Sequence, residues 1–278
     1  MIASERLYPV RRPLAAAFAG AAVGILGGLI GLGGAEFRLP VLIAIFALYP
    51  HRAIRINLLI SLATLAMAAV ARLGFIQTVD LGGHATEIIG MLAGGVVAAW
   101  FGAAYLKSIP KTHIMGVIAV LLLFTAVLLA AETLTQGTAW SALTADNQWR
   151  WLAAVGAGLL IGAVSSMLGV AGGEFIIPIL IFIFGTDVRT AGTASVLISI
   201  PVVLTGVVRH WLTGHYRSVS MFQNLILPMA LGSLAGAMLG GYLAAWAPTD
   251  ALRVTLAIVL AVSAVKLWTK HSPDQRST

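Results

Sequence analysis

Two glutamates occur at the same place in a short phrase that the chain uses twice. Glu36 lies in Gly31-Leu-Gly-Gly-Ala-Glu-Phe-Arg-Leu-Pro40, and Glu174 lies in Gly169-Val-Ala-Gly-Gly-Glu-Phe-Ile-Ile-Pro178. Both phrases interrupt hydrophobic stretches. An ionisable group at membrane depth costs at least about 2.5 kcal/mol on insertion scales, so it usually serves ion or proton handling. Removal from water also favours the protonated carboxyl. The pair therefore predicts proton coupling, unless each glutamate lies at the water boundary, caps a helix or, for Glu36, is satisfied by Arg38.

The glycines and prolines around the glutamates suit an anion. Glycine lets a ligand approach backbone N–H groups, and proline favours the first turn of a helix, so Pro40 and Pro178 are expected to begin short helices. A helix N-terminus attracts negative charge. Arg38 adds a positive charge in the first copy only, because Ile176 occupies the matching position. The glycines could instead only allow close helix packing. The predicted anion-binding glycines are Gly31, Gly33, Gly34, Gly169, Gly172 and Gly173.

Polar residues in the next hydrophobic segment of each half extend the predicted site. Asn57 and Ser61 are four residues apart and share a helical face, as do Ser195 and Ser199 at the matching positions. These side chains could bind oxygens of a solute, or they could bond between helices as structural contacts. The histidines show no metal-binding spacing, and the chain has no cysteine, so we expect neither a metal nor a cofactor.

The repeat extends far beyond the phrase. At a constant offset of 138 residues, 10 of 26 positions are identical between 15–40 and 153–178. Other pairs, such as Gly94 with Gly232 and Pro110 with Pro248, keep the same offset. The chain is therefore built twice from one unit: residues 1–131 form the first repeat, 132–150 a polar linker, and 151–278 the second repeat with a short cytoplasmic tail.

The composition excludes a water-soluble globule. Hydrophobic residues make up 59% of the chain and charged residues 10%, with a mean hydropathy of +0.97. Soluble domains carry about 25% charged residues. The net charge of +7 does not indicate nucleic-acid binding, because the basic residues lie at the ends of hydrophobic segments rather than in a dense tract. The partner to expect is the lipid bilayer.

Ten hydrophobic segments are visible, five in each repeat. The first half has 13–30, 39–49, 53–73, 85–106 and 112–131; the second has 151–168, 176–185, 190–212, 221–246 and 249–268. The second segment of each repeat is about half as long as a bilayer core requires. This length predicts broken or re-entrant half-helices at the glycine-rich phrases. The fold class is therefore an all-α polytopic membrane protein.

The basic residues predict the orientation of the chain. If the N-terminus is cytoplasmic and every segment reverses direction, twelve Lys and Arg residues lie inside and five outside. By the positive-inside rule, this asymmetry predicts that both termini are cytoplasmic. The predicted location is the inner membrane of the cell. Because each repeat has an odd number of crossings, the two repeats would enter from opposite sides. Inverted repeats of this kind are typical of secondary transporters.

With these motifs, the chain resembles the TauE/SafE sulfite exporter family of membrane permeases, which carries a duplicated Gly-x-Gly-Gly-Gly-x-x-x-x-Pro phrase. Gly31, Gly33, Gly34 and Pro40 match the first copy, and Gly169, Gly172, Gly173 and Pro178 match the second, with Ala35 and Ala171 replacing glycines. The resemblance implies proton-coupled movement of small sulfur-containing anions such as sulfite or organosulfonates. The family often has an apolar residue where Glu36 and Glu174 stand, and a carboxylate would repel an anion unless protonated.

The sequence thus predicts a permease that moves a small anion by alternating access, and not an enzyme. One alternative is a transporter whose Glu36 and Glu174 bind a cation or a zwitterion. A second is a membrane scaffold that transports nothing, although such a protein has no use for matched carboxylates at membrane depth. The duplication is internal, so it does not predict whether two chains pair.

Overall fold

The structure is a computed structural model of the chain. It describes residues 13–31, 33–46, 48, 50–76, 79–105, 123, 147–212, 221–248, 250–252, 254–255, 257–258 and 261–262. Within these ranges the chain is helical and contains no strand, which confirms the predicted all-α class. Among the described residues, five helices are long and apolar enough to cross a membrane. The predicted segment 112–131, except residue 123, and most of 249–268 lie outside the described residues.

The helices follow the predicted segments closely. In the first half they are α1 (Pro13–Ile30), α2 (Ala35–Ala44), α3 (Pro50–Phe75) and α4 (Ala85–Tyr105). In the second half they are α5 (Asn147–Leu168), α6 (Gly173–Phe182), α7 (Val188–Leu212) and α8 (Leu227–Trp246), the last preceded by a π-helical turn at Phe222–Ile226. Helix α5 begins inside the stretch that the sequence assigns to the linker.

Two helix pairs join the halves by close glycine contacts. α1 packs along α8, and α4 packs along α5, each pair running in parallel. A Cβ added at any of four helical glycines would collide with a backbone carbonyl of the facing helix, so these backbones approach as only small residues allow. Gly20 and Gly24 face Met229 and Ser233, and their counterparts Gly158 and Gly162 face Met91 and Gly95. All four contacts keep the offset of 138 residues, so the repeat in sequence is also a repeat in packing.

The half-length helices α2 and α6 each turn back along the helix before them. Ala16 near the start of α1 lies in one apolar cluster with Leu42 and Phe46 at the end of α2. In the second half, Arg150 in the first turn of α5 donates a hydrogen bond to the carbonyl of Phe184, just after α6, at 3.4 Å. Each ten-residue helix is only about 15 Å long. The prediction of half-helices at the glycine-rich phrases is therefore confirmed.

Helices α3 and α7 cross the centre in antiparallel directions. Arg72 at the end of α3 contacts Thr193 near the start of α7, whereas Leu58 near the start of α3 lies beside Gly206 in the second half of α7. The α1–α2 hairpin opens beside the start of α3, and the α5–α6 hairpin opens beside the start of α7. The hairpins therefore open at opposite ends of the central pair, and the inverted topology of the repeats stays a prediction. The orientation of these ends in a membrane stays a prediction.

Candidate functional site

Both half-helices begin at a glycine, not at the proline that the sequence suggested. Gly34 (φ 71°) and Gly172 (φ 80°) occupy the left-handed region at the N-caps, and the helices start at the next residue. Pro40 and Pro178 lie in the sixth helical position, so the prediction that they begin the helices is wrong. A left-handed turn that only glycine adopts freely sets the start earlier. Each proline instead removes the N–H that would bond the carbonyl four residues before it, that of Glu36 or Glu174.

The two glycine-rich phrases meet at the centre of the molecule. A Cβ built on Gly33 would lie 3.5 Å from the Cβ of Ala171, which is its own counterpart in the other repeat. Asn57 donates a hydrogen bond to the carbonyl of Gly169 at 2.9 Å, and Ser195 donates one to the carbonyl of Gly31 at 3.0 Å. These two bonds are equivalent under the 138-residue offset. Each central helix therefore holds the phrase of the opposite repeat.

Arg38, from the first repeat, supplies a positive charge near the point where the two phrases meet. Its guanidinium is fully buried, at 0% exposure. Nη1 donates to Ser61 Oγ at 2.9 Å and to Asn57 Oδ1 at 3.5 Å, while Nη2 donates to Thr64 Oγ1 at 3.0 Å and to Ser233 Oγ at 3.3 Å. The shared helical face predicted for Asn57 and Ser61 is confirmed, because one guanidinium nitrogen contacts both side chains.

The hydroxyl groups around Arg38 are oriented by the backbone. Thr64 donates its proton to the carbonyl of Ile60 at 2.8 Å, and Ser233 donates its proton to the carbonyl of Gly20 at 3.1 Å. Each hydroxyl therefore turns its lone pairs toward the guanidinium. Asn57 also donates a bond to the carbonyl of Ala35 at 2.9 Å. The amide N–H groups of Asn57 therefore bond to one carbonyl in each phrase and hold the two phrases together. This is the structural role that the sequence left open.

The second half has the same backbone positions and different chemistry. Ile176 stands where Arg38 stands in the first half and belongs to an apolar cluster with Ile161 and Ile198. Ser199, the counterpart of Ser61, is buried, and its hydroxyl has no hydrogen-bond partner among the described residues. The difference has a simple cause. Ser61 accepts a bond from an arginine, and isoleucine offers Ser199 no donor.

The two glutamates of the phrases are placed in the first turns of the half-helices. Glu174 is buried, with 4% of its surface exposed, in the first turn of α6. The sequence left open whether this carboxyl group lies at membrane depth, at the water boundary or at a helix cap, and in the structure it is buried. Glu36 holds the matching backbone position in α2, but its side chain and that of Pro40 lie outside what the structure describes.

Arg72 is a second buried arginine and lies in the last turn of α3. Its guanidinium donates to the carbonyls of Gly28 at 2.9 Å and Leu29 at 3.1 Å, which end α1, and to the carbonyl of Arg189 at 3.3 Å. Nε donates to Thr193 Oγ1 at 3.2 Å. A cation at the C-terminal end of a helix satisfies carbonyls that have no partner within the helix. Arg72 thus ties the first hairpin to α7.

Thr64 and Ser233 also accept hydrogen bonds from Arg38, and neither is among the site residues that the sequence predicted. Ser233 lies 195 residues from Arg38 and within a glycine-rich packing face, so no local spacing connects the two. Within the described residues, no group of three His, Asp or Glu side chains could hold a metal ion.

Comparison with family models identifies the family of the chain. The family model described as Sulfite exporter TauE/SafE matches residues 16–273, nearly the whole chain. The chain therefore belongs to the TauE/SafE sulfite exporter family, whose members are membrane transporters and not enzymes. It is a multi-pass membrane protein that handles a small solute. Comparison with curated proteins gives no match, and comparison with solved structures gives none either.

Proposed function

We propose that this protein moves a small anion, sulfite or an organosulfonate, across the cell membrane by alternating access. The observation that carries this proposal is the fully buried Arg38 at the point where the two glycine-rich phrases meet. A cation in a low-dielectric site attracts an anion far more strongly than the same cation in water. The N-termini of α2 and α6 both lie where the two phrases meet, and both favour a negatively charged ligand.

Alternating access is supported by burial and by the hairpins. Arg38, Asn57 and Ser61 are all buried at 0% exposure, so a solute reaches them only when helices move apart. The α1–α2 and α5–α6 hairpins open at opposite ends of α3 and α7. Movement of one hairpin would expose the centre to one side of the membrane, and movement of the other would expose it to the opposite side. Both termini are cytoplasmic in this proposal.

Proton coupling is assigned to Glu36 and Glu174. Glu174 is buried, and only its protonated form would not repel an anion at this centre. Protonation and anion binding would then favour each other, as coupled transport requires. The same burial supports a second candidate function, in which the carboxylates bind a cation or a zwitterion and Arg38 only holds helices together.

The test is charge movement in proteoliposomes, recorded on a solid-supported membrane. Sulfite, sulfoacetate, taurine, sulfate and divalent cations are applied with and without a pH gradient. Sulfur anions should evoke currents in the wild-type protein, and those currents should lose their dependence on the pH gradient in Glu36→Gln/Glu174→Gln. Asp250→Asn is the matched control, because Asp250 is an exposed carboxylate in the second repeat. Silence toward every anion, together with a cation response, would transfer the assignment to the second candidate.

A further inference from the structure

The open ends of the two hairpins carry different side chains at matched positions. At the open end of the α5–α6 hairpin, Arg150 in the first turn of α5 pairs with Glu87 in the first turn of α4 and contacts Phe184 after α6. The counterparts of Glu87 and Phe184 in the other repeat are Leu225 and Phe46, which belong to one apolar cluster at the open end of the α1–α2 hairpin. A carboxylate at one end therefore corresponds to a leucine at the other.

Arg150 joins the end of α6 to the α4–α5 pair. Its Nε donates a hydrogen bond to Oε1 of Glu87 at 2.7 Å, and Nη2 contacts the same oxygen. Nη2 also donates to the carbonyl of Phe184 at 3.4 Å, and Cζ lies 5.8 Å from the centre of the Phe184 ring. A cation is attracted to the face of an aromatic ring. Because glycine contacts already pack α4 against α5, the connection that Arg150 adds is the one to the end of α6.

A second polar contact connects the same two regions. Oγ1 of Thr186, after α6, and Nδ1 of His84, just before α4, form a hydrogen bond at 3.3 Å. Their counterparts in the other repeat are Leu48 and Phe222, and Leu48 belongs to the apolar cluster of the first hairpin. The open end of the second hairpin is therefore joined by polar contacts at positions where the first hairpin has apolar side chains.

The carboxylate of Glu87 is only half satisfied. Oε1 accepts from Arg150, whereas Oε2 is buried and has no hydrogen-bond partner among the described residues. The side chain of Glu87 is 3% exposed and that of Arg150 is 25% exposed. A buried ion pair stabilises a structure well only when its remaining lone pairs are also satisfied. Hydration of Oε2 would therefore offset part of the energy lost when the pair separates, which suits a contact that breaks in every transport cycle.

We propose that Arg150, positioned by Glu87, is a latch that holds the open end of the α5–α6 hairpin closed. Release of Arg150 from Phe184 lets the end of α6 separate from the α4–α5 pair and opens the centre toward that side of the membrane. The α1–α2 hairpin opens at an apolar interface instead, so the two ends open by breaking different contacts. The proposal rests on the alternating access of the proposed function.

Single cysteines can report the opening of each end, because the chain has no cysteine of its own. Ala191 and Ala53 are counterparts under the 138-residue offset, and both have 0% exposure. Ala191 lies in the apolar cluster of Phe184, and Ala53 lies in that of Phe46. The measurement is the rate at which N-ethylmaleimide modifies Ala191→Cys or Ala53→Cys in nanodiscs, followed by intact-protein mass spectrometry. A buried thiol reacts only when its surroundings open.

Glu87→Gln and Arg150→Met each remove one charge of the pair. In both variants the modification rate of Ala191→Cys should rise by at least about tenfold, because removal of one partner of a buried ion pair favours the state in which the other meets water. The rate of Ala53→Cys should fall or stay unchanged, since in alternating access the opening of one end excludes that of the other. Asp250→Asn, which neutralises an exposed carboxylate, is the control and should change neither rate.

Two results would overturn the latch. An unchanged rate of Ala191→Cys in both variants would show that this end closes without Arg150. An equal rise at Ala191→Cys and Ala53→Cys would show that the pair only stabilises the packing of the whole protein. The proposed function is tested separately by the sulfur-anion currents of the wild type. Absence of those currents, with a rise at Ala191→Cys alone, would refute anion transport and leave the latch intact.

Discussion

The two halves of this protein repeat one architecture and differ in what they place at its centre. Gly24 and Gly162 make the same backbone contact, and Asn57 and Ser195 donate equivalent bonds to Gly169 and Gly31. Yet the first half holds a buried arginine among hydroxyl groups, and the second holds an isoleucine. Backbone positions depend on small residues that duplication preserves. Charge depends on single side chains, so one substitution is enough to give the halves different chemistry.

The largest effect is expected when the first half is made like the second. Arg38→Ile should reduce the anion affinity by at least about thirtyfold, because removal of one member of a buried charge interaction costs about 2–5 kcal/mol. The measurement is the concentration of sulfite that gives half the maximal current in proteoliposomes. Arg52→Gln removes the same charge from the first turn of α3, outside the Arg38 cluster, and serves as the control.

If Arg38→Ile kept the wild-type affinity while remaining folded in detergent, Arg38 would not bind the anion. The comparison of the halves would then concern packing alone.

The next largest effect concerns the helix packing that the two halves share. Gly24→Ala and Gly162→Ala should each destabilise the protein by about 1–3 kcal/mol, because both added methyl groups collide with a facing backbone carbonyl. Unfolding in mixed micelles, followed by circular dichroism, gives the two values. Gly156→Ala is the control, since nothing lies within 4 Å of a Cβ at that helical position, and alanine there should stabilise by up to about 1 kcal/mol.

A large difference between Gly24→Ala and Gly162→Ala would break the equivalence of the two helix pairs.

A smaller effect is expected for Asn57 and Ser195, the two residues that bond to the phrase of the opposite repeat. Asn57→Ala removes hydrogen bonds to two carbonyls and to Arg38, whereas Ser195→Ala removes one bond. With about 0.6 kcal/mol for an average bond between membrane helices, Asn57→Ala should destabilise the protein about three times as much as Ser195→Ala. The same micelle unfolding measures both. Equal losses of stability would mean that Asn57 and Ser195 contribute equally to holding the phrases together, although Asn57 makes more hydrogen bonds.

The smallest effect is expected at Ser199, and its counterpart Ser61 provides the comparison. Ser61→Ala leaves a guanidinium N–H of Arg38 without its acceptor and should cost about 1–3 kcal/mol. Ser199→Ala removes a hydroxyl that has no partner among the described residues and should change stability by less than about 0.5 kcal/mol in the absence of solute. A clear loss of stability in solute-free Ser199→Ala would show that this hydroxyl serves the fold rather than a solute.

Several features of the site followed from local pattern. The spacing of Asn57 and Ser61 placed both on one face of α3, and the short segments after Gly34 and Gly172 indicated half-helices. The start of those helices was misplaced, because proline is common in a first helical turn while the left-handed conformation of a glycine is visible only in coordinates. Ser233 could not be assigned to Arg38, since its role depends on the packing of α8 against α1.

By itself, the sequence determined the membrane class, the duplication, the half-length helices and the family, because hydrophobic length, composition and a constant offset are properties of the chain alone. Only the tertiary structure decided which residues surround Arg38, which atoms connect the two phrases, and which hydroxyl has no partner among the described residues. The physical reason is the distance along the sequence over which each effect acts. Helix period and hydrophobicity act within a segment, whereas a hydrogen bond across 112 or 195 residues exists only after the helices have packed.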